Sequence, residues 1–241
     1  MPEPVTPYKT SASKKEEVRT MFDNIAGRYD LLNRVLSLRI DVAWRNRAIR
    51  LLKQYRPQHI LDVACGTGDF SIAALKSGAT RVTGVDISEK MLAAGRVKLE
   101  KKALDDRITL VSGDSEQLDF ADNSFDAVTV AFGVRNFEHL DKGLAEICRV
   151  LKPGAPVVIL EFSKPASFPV KQLYHFYFST ILPLIGRLVS GDARAYTYLF
   201  ESVSAFPEGE DFLQHLRKAG FRACSSKRLT FGICSLYSGE K

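Results

Sequence analysis

The stretch His59-Ile-Leu-Asp-Val-Ala-Cys-Gly-Thr-Gly-Asp-Phe70, followed by Val82-Thr-Gly-Val-Asp-Ile87, decides the fold. A short apolar run ends in the glycine pair Gly66 and Gly68, and a second run ends in the acid Asp86. The pattern predicts a strand, a tight turn free of Cβ atoms, a helix, and a second strand whose terminal carboxylate can hold two ribose hydroxyls. About 20 residues separate Gly66 from Asp86, the separation such a nucleoside site uses.

Charge around the turn selects among nucleoside cofactors. A dinucleotide needs bare N–H groups and a positive helix end for its pyrophosphate. Here Asp62 closes the strand, Asp69 sits in the first turn of the next helix, and Ser71 replaces the third glycine of G-x-G-x-x-G. Acids repel phosphate and attract cations. S-adenosylmethionine, with an ammonium, a sulfonium and no phosphate, is therefore favoured over a dinucleotide, with Asp62, Gly66, Thr67, Gly68 and Asp86 as binding residues. The plain alternative is an ordinary α/β turn in which Asp69 only caps a helix.

A chain of 241 residues with 45% hydrophobic content can bury one good core. Residues 1–13 are expected to be a disordered tail, and 14–241 a single domain. Met1 to Glu17 lack the apolar centre of a leader peptide. The apolar stretch from Phe176 to Ile185 is too short to span a bilayer and is interrupted by Pro183. Cys65, Cys148, Cys224 and Cys234 show no metal-ligand spacing and no C-x-x-C pair, which points to reduced thiols, no metal and a cytoplasmic location. Cys65 is read as a small packing residue inside the turn. The net charge of +6 would permit contact with nucleic acid or anionic lipid. Its basic residues are dispersed in pairs such as Lys14-Lys15 and Lys227-Arg228, and no basic run interleaves with aromatics, so nucleic acid is not an expected partner.

Helices are expected over 14–27 (Val18, Phe22 and Ile25 at helical spacing), near Leu36 after a cap at Asp30 or Asn33, and over 42–54. These make an N-terminal helical cap, 14–56. From His59 onward strands (59–64, 81–86, 108–112, 126–132, 156–162) alternate with helices (69–77, 89–102, 138–151, 210–219). Alternation of this kind implies a parallel sheet with right-handed crossovers. Residues 223–229 and 233–238, joined by a turn with Gly232, form an antiparallel hairpin at one edge. The fold class is α/β, similar to the class I S-adenosylmethionine-dependent methyltransferase (Rossmann-like) sheet. An apolar insertion, 168–207, rich in residues such as Phe168, Leu173, Tyr174, Phe178, Ile181, Leu182, Leu184 and Ile185, is read as a lid, with helix core or a homodimer contact as alternatives.

In an open α/β sheet ligands bind beyond the carboxyl ends of the strands. Asp114 and Ser115 end one strand, and Ala131-Phe-Gly-Val-Arg-Asn136 ends another. The Asp114 carboxylate suits an adenine amino group or an N-cap equally. Asp126 opens its strand and is expected to be structural. Arg135, a guanidinium just past an apolar strand, needs a carboxylate, a phenolate or solvent.

Two segments resemble the signatures of the ubiquinone/menaquinone biosynthesis C-methyltransferases. One is Met21-Phe-Asp-Asn-Ile-Ala-Gly-Arg-Tyr-Asp-Leu-Leu-Asn33 with Leu36-Ser-Leu-Arg-Ile-Asp-Val-Ala-Trp44. The other is Arg149-Val-Leu-Lys-Pro-Gly-Ala155 with Leu160-Glu-Phe-Ser-Lys-Pro165. Residues 131–136 match in order and spacing. The chain departs from the pattern at Asp41 (usually His), Cys65 (Gly), Ala131 (Ser) and Ala155 (Gly). The resemblance implies transfer of a methyl group from S-adenosylmethionine to a ring carbon of a prenylated quinol, demethylmenaquinol going to menaquinol. Arg135, Tyr29 and Asn136 would be the catalytic residues, and Asp62, Gly66, Thr67, Gly68, Asp86, Asp114, Ser115 and Ala131 would surround the cofactor. A lipid-borne acceptor gives the greasy insertion a use and makes peripheral contact with membrane lipid an expectation. Rival readings are a methyltransferase for ubiquinone precursors or another lipophilic acceptor, and an RNA-binding methyltransferase-like protein without quinone chemistry.

Overall fold

Strand β1 (His59–Val63) is buried on both faces, with Ile60, Leu61 and Val63 fully covered, as a central strand between two helical layers must be. The computed structural model describes residues 5–37, 39–181 and 193–241. Its sheet contains β1, β2 (Arg81–Asp86), β3 (Ile108–Ser112), β4 (Ala127–Ala131), β5 (Pro156–Phe162), β6 (Arg222–Leu229) and β7 (Cys234–Glu240), in the order β3-β2-β1-β4-β5-β7-β6. β1 to β5 pair in parallel, whereas β7 runs antiparallel between β5 and β6. The expected hairpin is therefore present, with exposed β6 at the edge. Lys227 and Arg228 on that strand discourage edge-to-edge pairing.

Strand periodicity divides the core in two. Leu61, Val128 and Ile159 face a layer made by α6 (Leu140–Val150) and a C-terminal helix (Glu210–Lys218) through Leu144, Ile147, Phe212 and Leu216. Ile60, Val82 and Leu160 face α3 (Ile40–Tyr55), α4 (Asp69–Ala74) and α5 (Glu89–Glu100) through Leu52, Phe70 and Leu92. The order of strands reverses between β1 and β4, and the site lies at their carboxyl ends.

A third, smaller core joins the N-terminal helices α1 (Lys14–Ile25) and α2 (Tyr29–Leu36) to the insertion, where α7 (Val170–Phe176) and α8 (Ala193–Ala205) supply Tyr174, Ala195 and Tyr198. The C-terminal helix is α9. Of the apolar insertion, Leu182, Leu184 and Ile185 lie outside the described residues, as do the side chains of Phe178 and Ile181. No helix among the described residues is long and apolar enough to cross a membrane.

Several boundaries differ for local reasons. Ser13 caps α1 in a reciprocal capping box with Glu16. Residues 5–13 are not the disordered tail expected, because the buried Glu17 carboxylate gathers the N–H groups of Tyr8 (2.6 Å), Lys9 (3.0 Å) and Thr10 (2.6 Å). Burial opposes ionisation, yet the hydrogen bonds from Thr10 and Tyr8 hold that carboxyl at about 2. Asp30 does not cap the second helix. It lies inside α2 and turns to Thr67 and Lys98. Helix 69–77 tightens into a 3-10 turn at Leu75–Ser77. Asp126 is structural, accepting from the His59 N–H (2.8 Å) and from Lys152 (2.6 Å).

Candidate active site

The turn after β1 is built on left-handed backbone. Ala64, Gly66 and Gly68 have φ of 54°, 56° and 79°. A Cβ at Gly66 would be strained and would meet Met91 Cε at 3.2 Å. Asp86, at the end of β2, closes the turn by accepting the Gly66 N–H (2.7 Å) on one oxygen and the Ser88 N–H (2.9 Å) on the other. Burial pushes its carboxyl up, opposed by those N–H bonds. Cys65 packs beneath, where a Cβ on Gly84 would lie 2.8 Å from its sulfur, and burial raises its thiol far above reactivity.

Ser71, which breaks the glycine pattern, has a job of its own. Its hydroxyl donates to Asp62 (2.5 Å) while Thr129 donates to the other carboxylate oxygen (2.9 Å). Asp62 is fully enclosed, and desolvation lifts it to about 6 despite both bonds. The remaining acids are not bare, which corrects the picture of an uncompensated anionic turn. Asp69 pairs with Lys98 (2.7 Å), whose ammonium also meets Asp30 (2.6 Å) and the Thr67 hydroxyl (2.9 Å). Burial works against the Asp69 charge, yet Lys98 and Arg45 hold it below the ordinary carboxylate range. Asp114 accepts the Glu116 N–H (2.9 Å) and the Lys15 ammonium (2.5 Å), so it caps its turn and also faces the cleft. Asp62 and Asp86, by contrast, accept from hydroxyl and backbone N–H groups and meet no cation among the described residues.

Two chambers meet at this turn. The smaller, about 70 Å³, is bounded by Asp86, Ile87, Asp114, Ser115, Asn136 and Lys15. The larger, about 560 Å³, is walled by aromatics. Tyr29, Gly66, Ala131 and Phe132 border both. In the larger one Trp44 stands between Phe132 (5.9 Å) and Phe162 (6.1 Å), its indole N–H fixed by Thr230 (2.7 Å). Tyr174 and Tyr198 come down from α7 and α8 as roof.

Arg135 lines the larger chamber from a 3-10 turn after β4. Its Nη1 donates to Glu161 (2.7 Å) and to the Phe132 carbonyl, and its guanidinium carbon lies 5.5 Å from the Phe162 ring centre. Glu161 is fully buried at the end of β5. The Arg135 Nε is buried with no hydrogen-bond partner among the described residues. Burial raises the Tyr29 hydroxyl, countered by a hydrogen bond with Asn33 and by the Arg135 charge. Burial and the Arg135 charge together push the Lys14 ammonium down to about 8, where it donates to the Arg135 (2.9 Å) and Phe137 (2.8 Å) carbonyls.

Most expected site residues converge. Tyr29 and Arg135 share the larger chamber, and Asp114, Ser115 and Asp86 share the smaller. Asn136 faces the smaller chamber and accepts from Tyr198 (3.1 Å), which ties roof to floor. Thr67 turns its hydroxyl away to Asp30, and Gly68 borders neither chamber. Asp41, in place of the usual His, is 8% exposed, accepts from Ser37 (2.7 Å) and pairs with Arg45 on the larger chamber's wall. Sequence reasoning gave no role to Glu161, Lys15 or Tyr198. A glutamate inside the otherwise apolar Val157–Phe162 was the available signal for the first; nothing local announces the others.

A doubly wound sheet closed by an antiparallel strand, with a glycine turn facing an acid one strand away, defines the class I methyltransferase fold. A solved S-adenosylmethionine-dependent methyltransferase from Thermotoga maritima superposes with a TM-score of 0.60 at 19% identity, over 92% of this chain and 98% of that one. Among curated proteins, the demethylmenaquinone methyltransferases of Bacteroides fragilis (49% identity, 99% of this chain, 98% of the relative) and Porphyromonas gingivalis (47%, 100% and 99%) are similar over their whole length. The model of the ubiE/COQ5 methyltransferase family matches residues 10–241. The chain belongs to that family.

Proposed function

We propose that this protein methylates a ring carbon of a prenylated naphthoquinol, converting demethylmenaquinol to menaquinol with S-adenosylmethionine as methyl donor. The observation that carries the reading is the meeting of the cleft at Asp86 and Asp114 with an aromatic chamber at Tyr29, Gly66 and Ala131, with the Arg135 guanidinium on the acceptor side.

The donor set of the cleft fits the cofactor. Asp86 offers its remaining lone pairs to two ribose hydroxyls, and Asp114 and Ser115 offer acceptors beside an apolar slot of Val85, Ile87 and Phe137. Asp62, lifted by desolvation, regains its charge beside a cation. Gly66 and Gly68 shape the turn, Thr67 fastens it to α2, and the small Ala131 leaves the two chambers joined. When bound, S-adenosylmethionine supplies an electrophilic methyl on a sulfonium.

A hydroquinone carbon attacks well only as its neighbouring hydroxyl loses its proton. Arg135 cannot take that proton, since a guanidinium carries five N–H donors and no acceptor. A water oriented by Arg135 takes the proton, and the ring-carbon proton that the methyl displaces leaves the same way. Arg135 stabilises the phenolate, and its unpaired Nε–H is the donor we assign to that oxygen. Tyr29, kept protonated by burial, donates to the ring from the cofactor side, and Asn136 holds the roof through Tyr198. The aromatic wall excludes bulk water. Working in the cytoplasm, the protein meets its substrate by peripheral contact with membrane lipid; we assign the apolar insertion to this use ahead of a homodimer contact.

Purified protein with isotopically labelled methyl donor and demethylmenaquinol in detergent should yield ring-methylated menaquinol. A labelled methyl ether, or no transfer to any naphthoquinol, would reject the assignment.

A further inference from the structure

Three stretches of chain form the mouth of the larger chamber: residues 31–37 with 39–40, residues 166–181, and residues 225–233. Ile40, Leu173 and Phe231 line the opening, one from each. The indole N–H of Trp44 donates to Thr230 (2.7 Å) and the Ser163 hydroxyl to the Gly232 carbonyl (2.8 Å), which pin the third segment to α3 and to the end of β5. Leu32 and Tyr174 turn inward, but five large apolar side chains of these segments face outward. Phe168 is 81% exposed and Phe231 80%, with Leu173, Leu31 and Phe176 above half. Thr230 and Phe231 both have positive φ, 45° and 57°, a backbone that bulky residues rarely adopt and that lifts the Phe231 ring off the hairpin.

Charge is segregated in the same place. The three segments carry Arg34, Arg39, Lys171, Lys227 and Arg228 and not a single Asp or Glu, in a chain with 28 acidic residues. All five basic residues are exposed. Exposed aromatic and aliphatic groups ringed by cations, with no anion among them, match the interface of an anionic bilayer, whose headgroups take the cations while rings and chains enter the acyl boundary. Resting on the reading of a lipid-borne acceptor, we propose that this rim is the membrane-docking face. It seats the chamber mouth on anionic phospholipid, so that the prenyl tail passes from bilayer to chamber without crossing water.

A second copy of the chain is the poorer occupant. An isologous interface sets a patch against itself, and here five positive charges would face five others. Nucleic acid would satisfy the charges but leave the exposed rings and the open apolar chamber unused.

Flotation of the full chain with phosphatidylcholine vesicles, with and without phosphatidylglycerol, tests the proposal. Retention should require phosphatidylglycerol and fall in high salt. Lys171→Ser with Arg228→Ser should weaken it by about 25-fold, roughly fivefold per basic residue. Phe168→Ser with Phe176→Ser should also release the protein. None of these four residues lines either chamber. Methylation of a tail-less, water-soluble quinol should be unchanged in both double variants, while methylation of a long-tailed quinol in vesicles falls with binding. Equal retention on neutral and anionic vesicles, no retention, or wild-type flotation of the Lys171/Arg228 variant overturns the proposal. So does loss of self-association or of RNA binding in that variant with vesicle binding intact. A wild-type protein that floats but methylates no quinol would instead sink the functional reading and leave the docking face standing.

Discussion

The two chambers are made by different means. Around the smaller one the determinants are backbone: left-handed φ at Ala64, Gly66 and Gly68, and N–H groups of Gly66 and Ser88 held by one carboxylate. Around the larger one they are side chains delivered from distant places, Trp44 from α3, Phe132 after β4, Phe162 from β5, Tyr174 and Tyr198 from α7 and α8. A backbone cradle recognises the constant part of a reaction and tolerates little change. A side-chain chamber can be refitted to a new acceptor without disturbing the sheet. Arg135, a polar group among the aromatics of the larger chamber, is steadied by a glutamate that the sheet itself supplies.

If that contrast holds, damage should divide accordingly. The largest effect belongs to Glu161→Ala, which leaves a buried guanidinium without its counter-ion and should cost about 3–5 kcal/mol of stability by denaturant unfolding. An unfolding midpoint within error of wild type would mean that the Arg135 charge is satisfied elsewhere. Arg135→Gln should lower turnover by about 100- to 1,000-fold with cofactor affinity nearly intact, read by titration calorimetry and initial rates. Loss of both together would erase the division between chambers. Asp86→Ala should do the reverse, weakening cofactor binding by about 2 kcal/mol through lost ribose and turn hydrogen bonds, with an affinity equal to wild type removing Asp86 from the site.

Legibility followed the same division. The strand–turn–strand unit lies in one stretch of about 30 residues, and glycine and acid positions there have few structural meanings, so Asp62, Gly66 and Asp86 could be placed from the sequence. The alternation after His59 likewise gave the sheet, because buried parallel strands must be apolar throughout. Pairings over long separations were hidden. Asp114 and Asp69 looked like free acids because Lys15 and Lys98, their partners, stand 99 and 29 residues away. The tie from the Thr67 hydroxyl to Asp30 was likewise hidden, because 37 residues separate the two. Residues 5–13 read as disordered tail by composition, and only the folded Glu17 shows why they are fastened.

Two pH effects sharpen the contrast at smaller scale. Asp62 is lifted to about 6 by burial, so its proton must leave before it can face a cation. Cofactor affinity should therefore drop as pH falls through about 6, and Asp62→Asn should flatten that dependence; an unchanged slope would place the cation elsewhere. Glu17 is shifted the other way, so its contribution is fully present above the ordinary value of 4.5 and disappears as pH falls toward 2. The melting difference between wild type and Glu17→Gln should shrink over that range, and a difference that persists at pH 2 would mean the anchor is not ionic.

A crystal structure with S-adenosylhomocysteine and a short-tailed naphthoquinol bears most directly on the account. The ribose hydroxyls should rest on Asp86, the sulfur should sit where Tyr29 and Ala131 border both chambers, and a ring oxygen should accept from Arg135 Nε. A quinol ring bound away from Arg135, or a nucleoside seated outside the Asp86 cleft, would contradict it.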